Sequence, residues 1–221
     1  MNIKLPKRFF YTTAKQDRSA FVDYGVLYIK GYLNFEDLMY SLTYAYHGYS
    51  RCKYCGKVLS PYDCSLDHIY PRSWGGVSIP DNLLPCCKTC NLNKADMSPK
   101  QFNHWRNLIT NEERKLYYKR CQKDNSKFIA KGNFILPGKW LSQYDISELV
   151  DDLDFSCLEP YKTEKVREYY EANHQFNHPI IVSSDNWLLK GKHILYQAKQ
   201  VNASSVPAIV IDNVVVLRDT P

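Results

Sequence analysis

No apolar run in the 221-residue chain approaches the ~20 residues that a membrane-spanning helix needs. No membrane role is therefore expected. Lys4, Lys7 and Arg8 stand near the start with no apolar stretch behind them, unlike a secretory leader. The expected compartment is the cytoplasm. Internal repeats and low-complexity segments are absent as well. Hydrophobic residues make up 44% of the chain, enough for one large domain or two small ones. Eight cysteines would suggest disulfides in a secreted protein, but in a reducing compartment their spacing points to metal.

Charge is missing locally. Residues 142–159 contain no Lys or Arg but six acids, Asp145, Glu148, Asp151, Asp152, Asp154 and Glu159. Residues 1–141 carry 22 Lys and Arg against 11 Asp and Glu, a net of +11, and residues 160–221 carry seven against six. A basic front half suits a polyanion, most simply nucleic acid. A solvated surface gives the same count, so the chemistry of a site has to decide.

That chemistry lies between Arg51 and Ser98. Cys52-x-x-Cys55 and Cys87-x-x-Cys90 are two knuckles separated by 31 residues. Four thiolates at this spacing describe a closed, tetrahedral structural Zn²⁺ site. Gly56 lets the backbone turn so that amides face the sulfurs. Cys86 beside Cys87 is a competing ligand, and Cys87 is preferred because it gives the two-residue gap. Cys64, Cys86, Cys121 and Cys157 lack partner spacing and read as small buried residues.

Between the knuckles, Ser65 to Ile69 reads as a strand holding Asp67-His68. Arg72 to Pro80 reads as a loop with Trp74-Gly75-Gly76, Leu83 to Cys86 as a second strand, and Lys88 to Met97 as a helix with Asn91 near its start. A neutral imidazole at His68 suits a general base near pH 7, and Asp67 offers hard oxygen to Mg²⁺ or Mn²⁺. Adjacent on a strand, the two point to opposite faces. Lys94, one turn beyond Asn91, could meet a phosphate, and so could Arg72.

Asp67-His68, Asn82 and Asn91-x-x-Lys94, wrapped by two Cys-x-x-Cys pairs, resemble the HNH endonucleases of the ββα-metal fold. The resemblance covers residues 50–98. It implies a phosphodiesterase acting on DNA, with His68 as base, Asp67 and Asn91 as ligands of the catalytic cation, and Asn82 tying the loop and orienting His68. Asn91 stands where other members have His, a common variant. Small nucleases of this kind resemble those of phages, mobile elements and restriction systems. A zinc ribbon that only binds DNA as a regulator would also explain the cysteines and the charge, though not the other residues in register.

Around this core, residues 1–33 read as a strand or irregular extension. Asn34 caps a helix with Phe35, Leu38, Met39, Leu42 and Tyr46 at helical spacing. Ser98-Pro99 opens another, and Thr110 to Glu113 is a capping box for a third. The third helix carries Lys115 and Lys119, which either follow a DNA backbone or form a solvated face. Residues 122–141 read as a loop, and the acidic run as a capped surface helix.

From Leu158 the pattern changes to a helix over 163–172, strands at 179–182 and 187–189, a helix over 194–201 and a strand over 206–211. Glu159-Pro160, Lys165-Val166, Pro179-Ile180, Gly191-x-His193 and Val206-Pro207 resemble the ParB/sulfiredoxin-like domain. That family follows its Gly-x-His with Arg, where this chain has Ile194. Lys192 and His193 could keep a phosphate contact, but target recognition, or docking of a protein partner or second copy, is expected instead of nucleotide chemistry. The expected architecture is α+β: residues 1–141 as a zinc-stapled nuclease domain with flanking helices, 142–157 as an acidic linker, and 158–221 as a small α/β accessory domain.

Overall fold

The structure, a computed structural model, describes residues 2–13, 18–31, 33–48, 51–60, 62–130, 140–150, 155–176 and 178–217, without the side chains of 127–130 and 140–142. Helices and strands are mixed, as expected of an α+β protein. Two compact units form: Met39–Pro137, here the inserted unit, and Met1–Leu38 with Gly138–Pro221, the bipartite unit. Among the described residues no helix is long and apolar enough to cross a membrane.

The division differs from the boundaries read in the sequence because strand pairing is long-range. In the bipartite unit β1 (Phe10–Thr12), β2 (Ser19–Asp23) and β3 (Val26–Lys30) form an antiparallel meander, and β10 (Val214–Leu217) pairs parallel to β3 with Val214 opposite Leu27. Tyr24 and Gly25, at φ 45° and 75°, make the two-residue turn between β2 and β3. Ala20, Leu27 and Ile29 supply the buried face. Asn213 fastens the chain start, with Oδ1 accepting from the Ile3 amide (2.8 Å) and Nδ2 donating to the Ile3 carbonyl (3.0 Å).

The second sheet of this unit has the order β6 (Trp140–Asp145), β9 (Ser205–Ile211), β7 (Ile180–Ser183), β8 (Leu188–Lys190), with only β7 and β9 parallel. Helices α5 (Pro160–Asn173) and α6 (Lys192–Gln200) accompany it. Ile194, Leu195 and Ala198 of α6 pack against Tyr144, Ile180, Val182, Val206 and Ala208. The acidic run is therefore not a surface helix. Its first part is β6, where exposed Gln143 and Asp145 flank buried Tyr144, followed by a 3-10 turn over Ile146–Glu148. Residues 151–154 lie outside the described residues.

The boundary of the inserted unit falls within α1 (Phe35–His47). Asn34 Oδ1 caps this helix, accepting from the amides of Glu36 (3.0 Å) and Asp37 (3.3 Å). In the inserted unit β4 (Cys64–His68) and β5 (Leu83–Cys87) form an antiparallel pair, and α2 (Lys88–Lys94) follows directly. Ser98 and Gln101 form a full capping box for α3 (Pro99–Asn107). Thr110 and Glu113 do the same for α4 (Asn111–Ala130). Helix α4 thus continues through the start of the expected 122–141 loop, whose residues 131–139 lie outside the described residues. Gln101 Nε2 donates to Asn125 Oδ1 (2.9 Å) and Asn125 Nδ2 to the Asp96 carbonyl (3.2 Å), tying α3, α4 and the end of α2 together.

Candidate active site and metal centre

The four cysteines converge. The Sγ atoms of Cys52, Cys55, Cys87 and Cys90 all lie within 4.8 Å of one another. Each knuckle aims a backbone amide at its first sulfur, Cys55 N–H at Cys52 (3.5 Å) and Cys90 N–H at Cys87 (3.4 Å). Gly56, at φ 75°, closes the first turn by donating its amide to the Cys52 carbonyl (2.9 Å). Burial opposes the Cys52 thiolate, but the amides of Cys55, Cys87 and Tyr54 outweigh it and bring its pKa down to about 6. A clustered, amide-supported set of sulfurs fits Zn²⁺.

Cys86 and Cys87 are neighbours on a strand and face opposite ways, so only Cys87 joins the cluster. Cys86 turns toward the Ser65 hydroxyl (3.6 Å), and burial pushes its thiol up to about 12. Cys121 is buried as expected, but Cys64 is only half-buried and Cys157 is exposed.

At the other end of β4, Asp67 and His68 diverge as adjacent strand residues must. Asp67 is buried and faces Lys94 of α2 and Tyr54 of the first knuckle. Lys94 Nζ lies 3.1 Å from both carboxylate oxygens and donates to the His68 carbonyl (2.7 Å), while the Tyr54 hydroxyl donates to Oδ2. Burial pushes Asp67 up and Lys94 down, and each offsets the other's penalty. Tyr54 is in turn held by α3: Arg106 donates to its carbonyl, and its ring meets Phe102 edge-on at 5.2 Å.

His68 faces the loop, with Nε2 3.0 Å from the Ser78 hydroxyl. Asn82, fully buried, organises that loop. Its Oδ1 accepts from the Tyr70 amide (2.8 Å), and its Nδ2 donates to the carbonyls of Tyr70 (3.1 Å) and Val77 (2.9 Å). Gly76 allows the fold-back, because a Cβ there would sit 1.9 Å from the Tyr70 carbonyl oxygen. Asn82 thus acts on His68 through the segment carrying Ser78.

Asp67, His68 and Asn91 line one cleft of about 220 Å³, together with Arg72, Ser73 and Asp96. Asn91 Nδ2 donates to Ser65 Oγ and the Leu66 carbonyl, both at 3.3 Å, which leaves its amide oxygen for the cleft. Asp96 Oδ1 is buried with no hydrogen-bond partner. Asp67, Asn91 and Asp96 share the lining of this cleft, and carboxylate and amide oxygens are the donors that a hard divalent cation takes.

Two expected phosphate contacts separate. Arg72 is exposed at this cleft. The side chain of Lys94 is 0% exposed and committed to Asp67 and His68, so it cannot reach a phosphate. Lys115 and Lys119 are both exposed on α4, and Lys115 alone lines a groove beside the cleft. Sequence reasoning passed over Tyr54, Ser78 and Asp96. The only local hint was Tyr54 inside a knuckle. In the bipartite unit Lys192 and His193 line a separate cavity of about 550 Å³ with Lys162 and Glu159, and His193 Nδ1 lies 2.9 Å from the Thr163 hydroxyl.

Residues 52–105 match the family model described as HNH endonuclease. The matched segment contains both cysteine pairs and the cleft residues, so the resemblance read from the sequence holds there, and it suggests nuclease activity on DNA. No curated protein and no solved structure gives a match to the chain.

Proposed function

We propose that the inserted unit is a metal-dependent endonuclease domain that hydrolyses DNA phosphodiester bonds. The observation carrying this reading is the shared cleft, where β4 and α2 present Asp67, His68 and Asn91 inside the matched segment. His68 is the general base. The Ser78 hydroxyl, 3.0 Å from Nε2, orients the ring, and the neutral imidazole takes the proton of the attacking water. Asp67 and Asn91 would hold the Mg²⁺ or Mn²⁺, with Lys94 and Tyr54 keeping Asp67 ionised and aimed. When bound, the cation neutralises charge on the phosphate oxygens and the leaving oxyanion. Arg72 steadies the phosphate at the cleft. The four cysteines hold a structural zinc that fixes the scaffold.

The bipartite unit, with the ParB/sulfiredoxin-like pattern in its C-terminal part, is the accessory module for choosing a target or partner. Its α5, β7, β8, α6 and β9 fall where that pattern put a helix, two strands, a helix and a strand, which supports the assignment.

The test is supercoiled plasmid with zinc-loaded protein and added Mg²⁺ or Mn²⁺, which should be nicked or linearised. His68→Ala should keep zinc and DNA binding, and its cleavage should fall by ~10²–10⁴-fold, the worth of a positioned base. Asn91→Ala should bind Mn²⁺ more weakly by calorimetry. A folded His68→Ala protein that cuts at the wild-type rate would defeat this mechanism and favour the non-catalytic DNA-binding regulator.

A further inference from the structure

Beside the cleft lies a second concavity, a groove of about 530 Å³ walled by Leu92, Asn93, Ala95, Trp105, Asn111, Arg114, Lys115 and Tyr118. We propose that this groove takes the DNA strand where it leaves the cleft, holding a phosphate that neighbours the scissile one. The proposal rests on the nuclease reading for which strand is meant, and on the groove's own chemistry for the rest.

The first reason is continuity. Ala95 belongs to the walls of both openings, and Asn91 at the cleft is followed in α2 by Leu92 and Asn93 at the groove. A strand lying in the cleft therefore has this groove as an adjacent exit.

The second reason is charge. The groove's titratable walls are Arg114, Lys115 and Tyr118, with no carboxylate among them. The acids nearest in sequence, Asp96, Glu112 and Glu113, are not among its walls. The Glu113 carboxylate accepts from the Thr110 amide and hydroxyl. The Asp96 carboxylate behind the groove acts on the Tyr118 hydroxyl, which burial and that charge push up, so the positive charge facing outward is that of Arg114 and Lys115. Asn111 and Arg114 come from the first turn of α4, where the helix dipole is positive.

The third reason is preorganisation. The Arg114 guanidinium lies 5.1 Å from the centroid of the Trp105 ring, and its Nε donates to the Leu108 carbonyl (3.1 Å). This fixes the plane of the group and leaves its two terminal nitrogens without a protein partner among the described residues. A flat, anchored guanidinium with spare donors matches a phosphate fork. Exposed Lys115 adds an unfixed charge, and Asn111 adds a neutral group of the kind that bonds sugar and phosphate oxygens.

The experiment measures binding of a short labelled duplex by fluorescence anisotropy. It uses the full zinc-loaded chain in the His68→Ala background without added divalent cation, across a series of salt concentrations. Lys115→Ala should flatten the dependence of log K on log salt by about 1, and combining it with Arg114→Ala by about 2. Lys123→Ala, the same charge change further along α4, is the control and should leave the slope in place. Because Arg114 packs on Trp105, Arg114→Lys is measured beside it. It keeps the charge but loses the fork, and should weaken binding with little change of slope. Groove variants that bind like the parent, or a Lys123→Ala slope that falls as far as that of Lys115→Ala, would overturn the proposal. Failure of the wild-type chain to cut plasmid would remove the nuclease reading, while loss of binding in the groove variants would still identify the groove as a DNA surface.

Discussion

Around α6 the bipartite unit buries Ile180, Val182, Ile194, Leu195, Ala198, Val206 and Ala208 with Tyr144, an aliphatic core that water exclusion alone can hold. In the inserted unit five of the eight residues of the buried cluster around the knuckles are cysteines, Cys52, Cys86, Cys87, Cys90 and Cys121, beside Leu59, Met97 and Phe102, while Met39, Leu42, Ile79 and Leu83 are buried outside it. Around the knuckles thiols outnumber the hydrophobes, and a small domain with little apolar burial there needs another source of folding energy. The proposed zinc would supply it at the cysteine end of β4, while at the Asp67 end a buried ion pair offsets its own burial cost. One unit should therefore depend on metal and the other should not.

Metal removal should break this symmetry hardest. Chelation, or Cys90→Ser, withdraws ~10 kcal/mol or more of folding energy from the inserted unit. Hydrogen exchange should show amides of 52–105 losing protection while those of β7, β9 and α6 keep theirs. Joint loss in both units would mean that the metal supports the whole chain. Next in size is Lys94→Met, which strands the Asp67 carboxylate in a buried place at a cost of about 3–5 kcal/mol. The pair Asp67→Asn with Lys94→Met should recover much of it in urea titrations. No recovery would show that packing, not charge, joins α2 to β4.

The matching probe of the aliphatic core is Leu195→Ala, expected to cost about 2–5 kcal/mol with zinc content unchanged. A drop in zinc would couple the two cores. Smallest is Ala95→Gly. Ala95 sits exposed at φ 46°, ψ −123°, a backbone state costly for any residue with a Cβ, and glycine should add about 1 kcal/mol to the inserted unit. Unchanged thermal stability would show that the turn carries no such strain.

What the sequence disclosed follows from range. The knuckles, Asp67-His68 and Asn91 are local spacings, and local spacing survives folding, so they could be read directly and the structure brings them together. Lys94 was visible as a residue but not as a buried one, because its partner Asp67 is 27 positions away. Ser78 looked like any loop serine until Asn82 and Gly76 folded its segment onto His68. In the acidic run, charge masked the alternation around Tyr144 that marks a strand. The N-terminal meander could be placed only by its pairing with β10, which no local pattern encodes.

That last pairing has a consequence for how the chain is made. Strand β3 ends at Lys30, and its parallel partner begins at Val214. At ~5–20 residues per second, on the order of ten to forty seconds of translation separate the two. During that interval the ribosome has already released every cysteine of the cluster, the last being Cys90, while one edge of β3 waits without its hydrogen-bond partner. The inserted unit could load the proposed zinc and close while the meander still lacks the fourth strand of its sheet. A chain cut short before Val214 would carry a finished cleft and an unfinished edge, a nascent species with its chemistry assembled and its sticky strand uncovered.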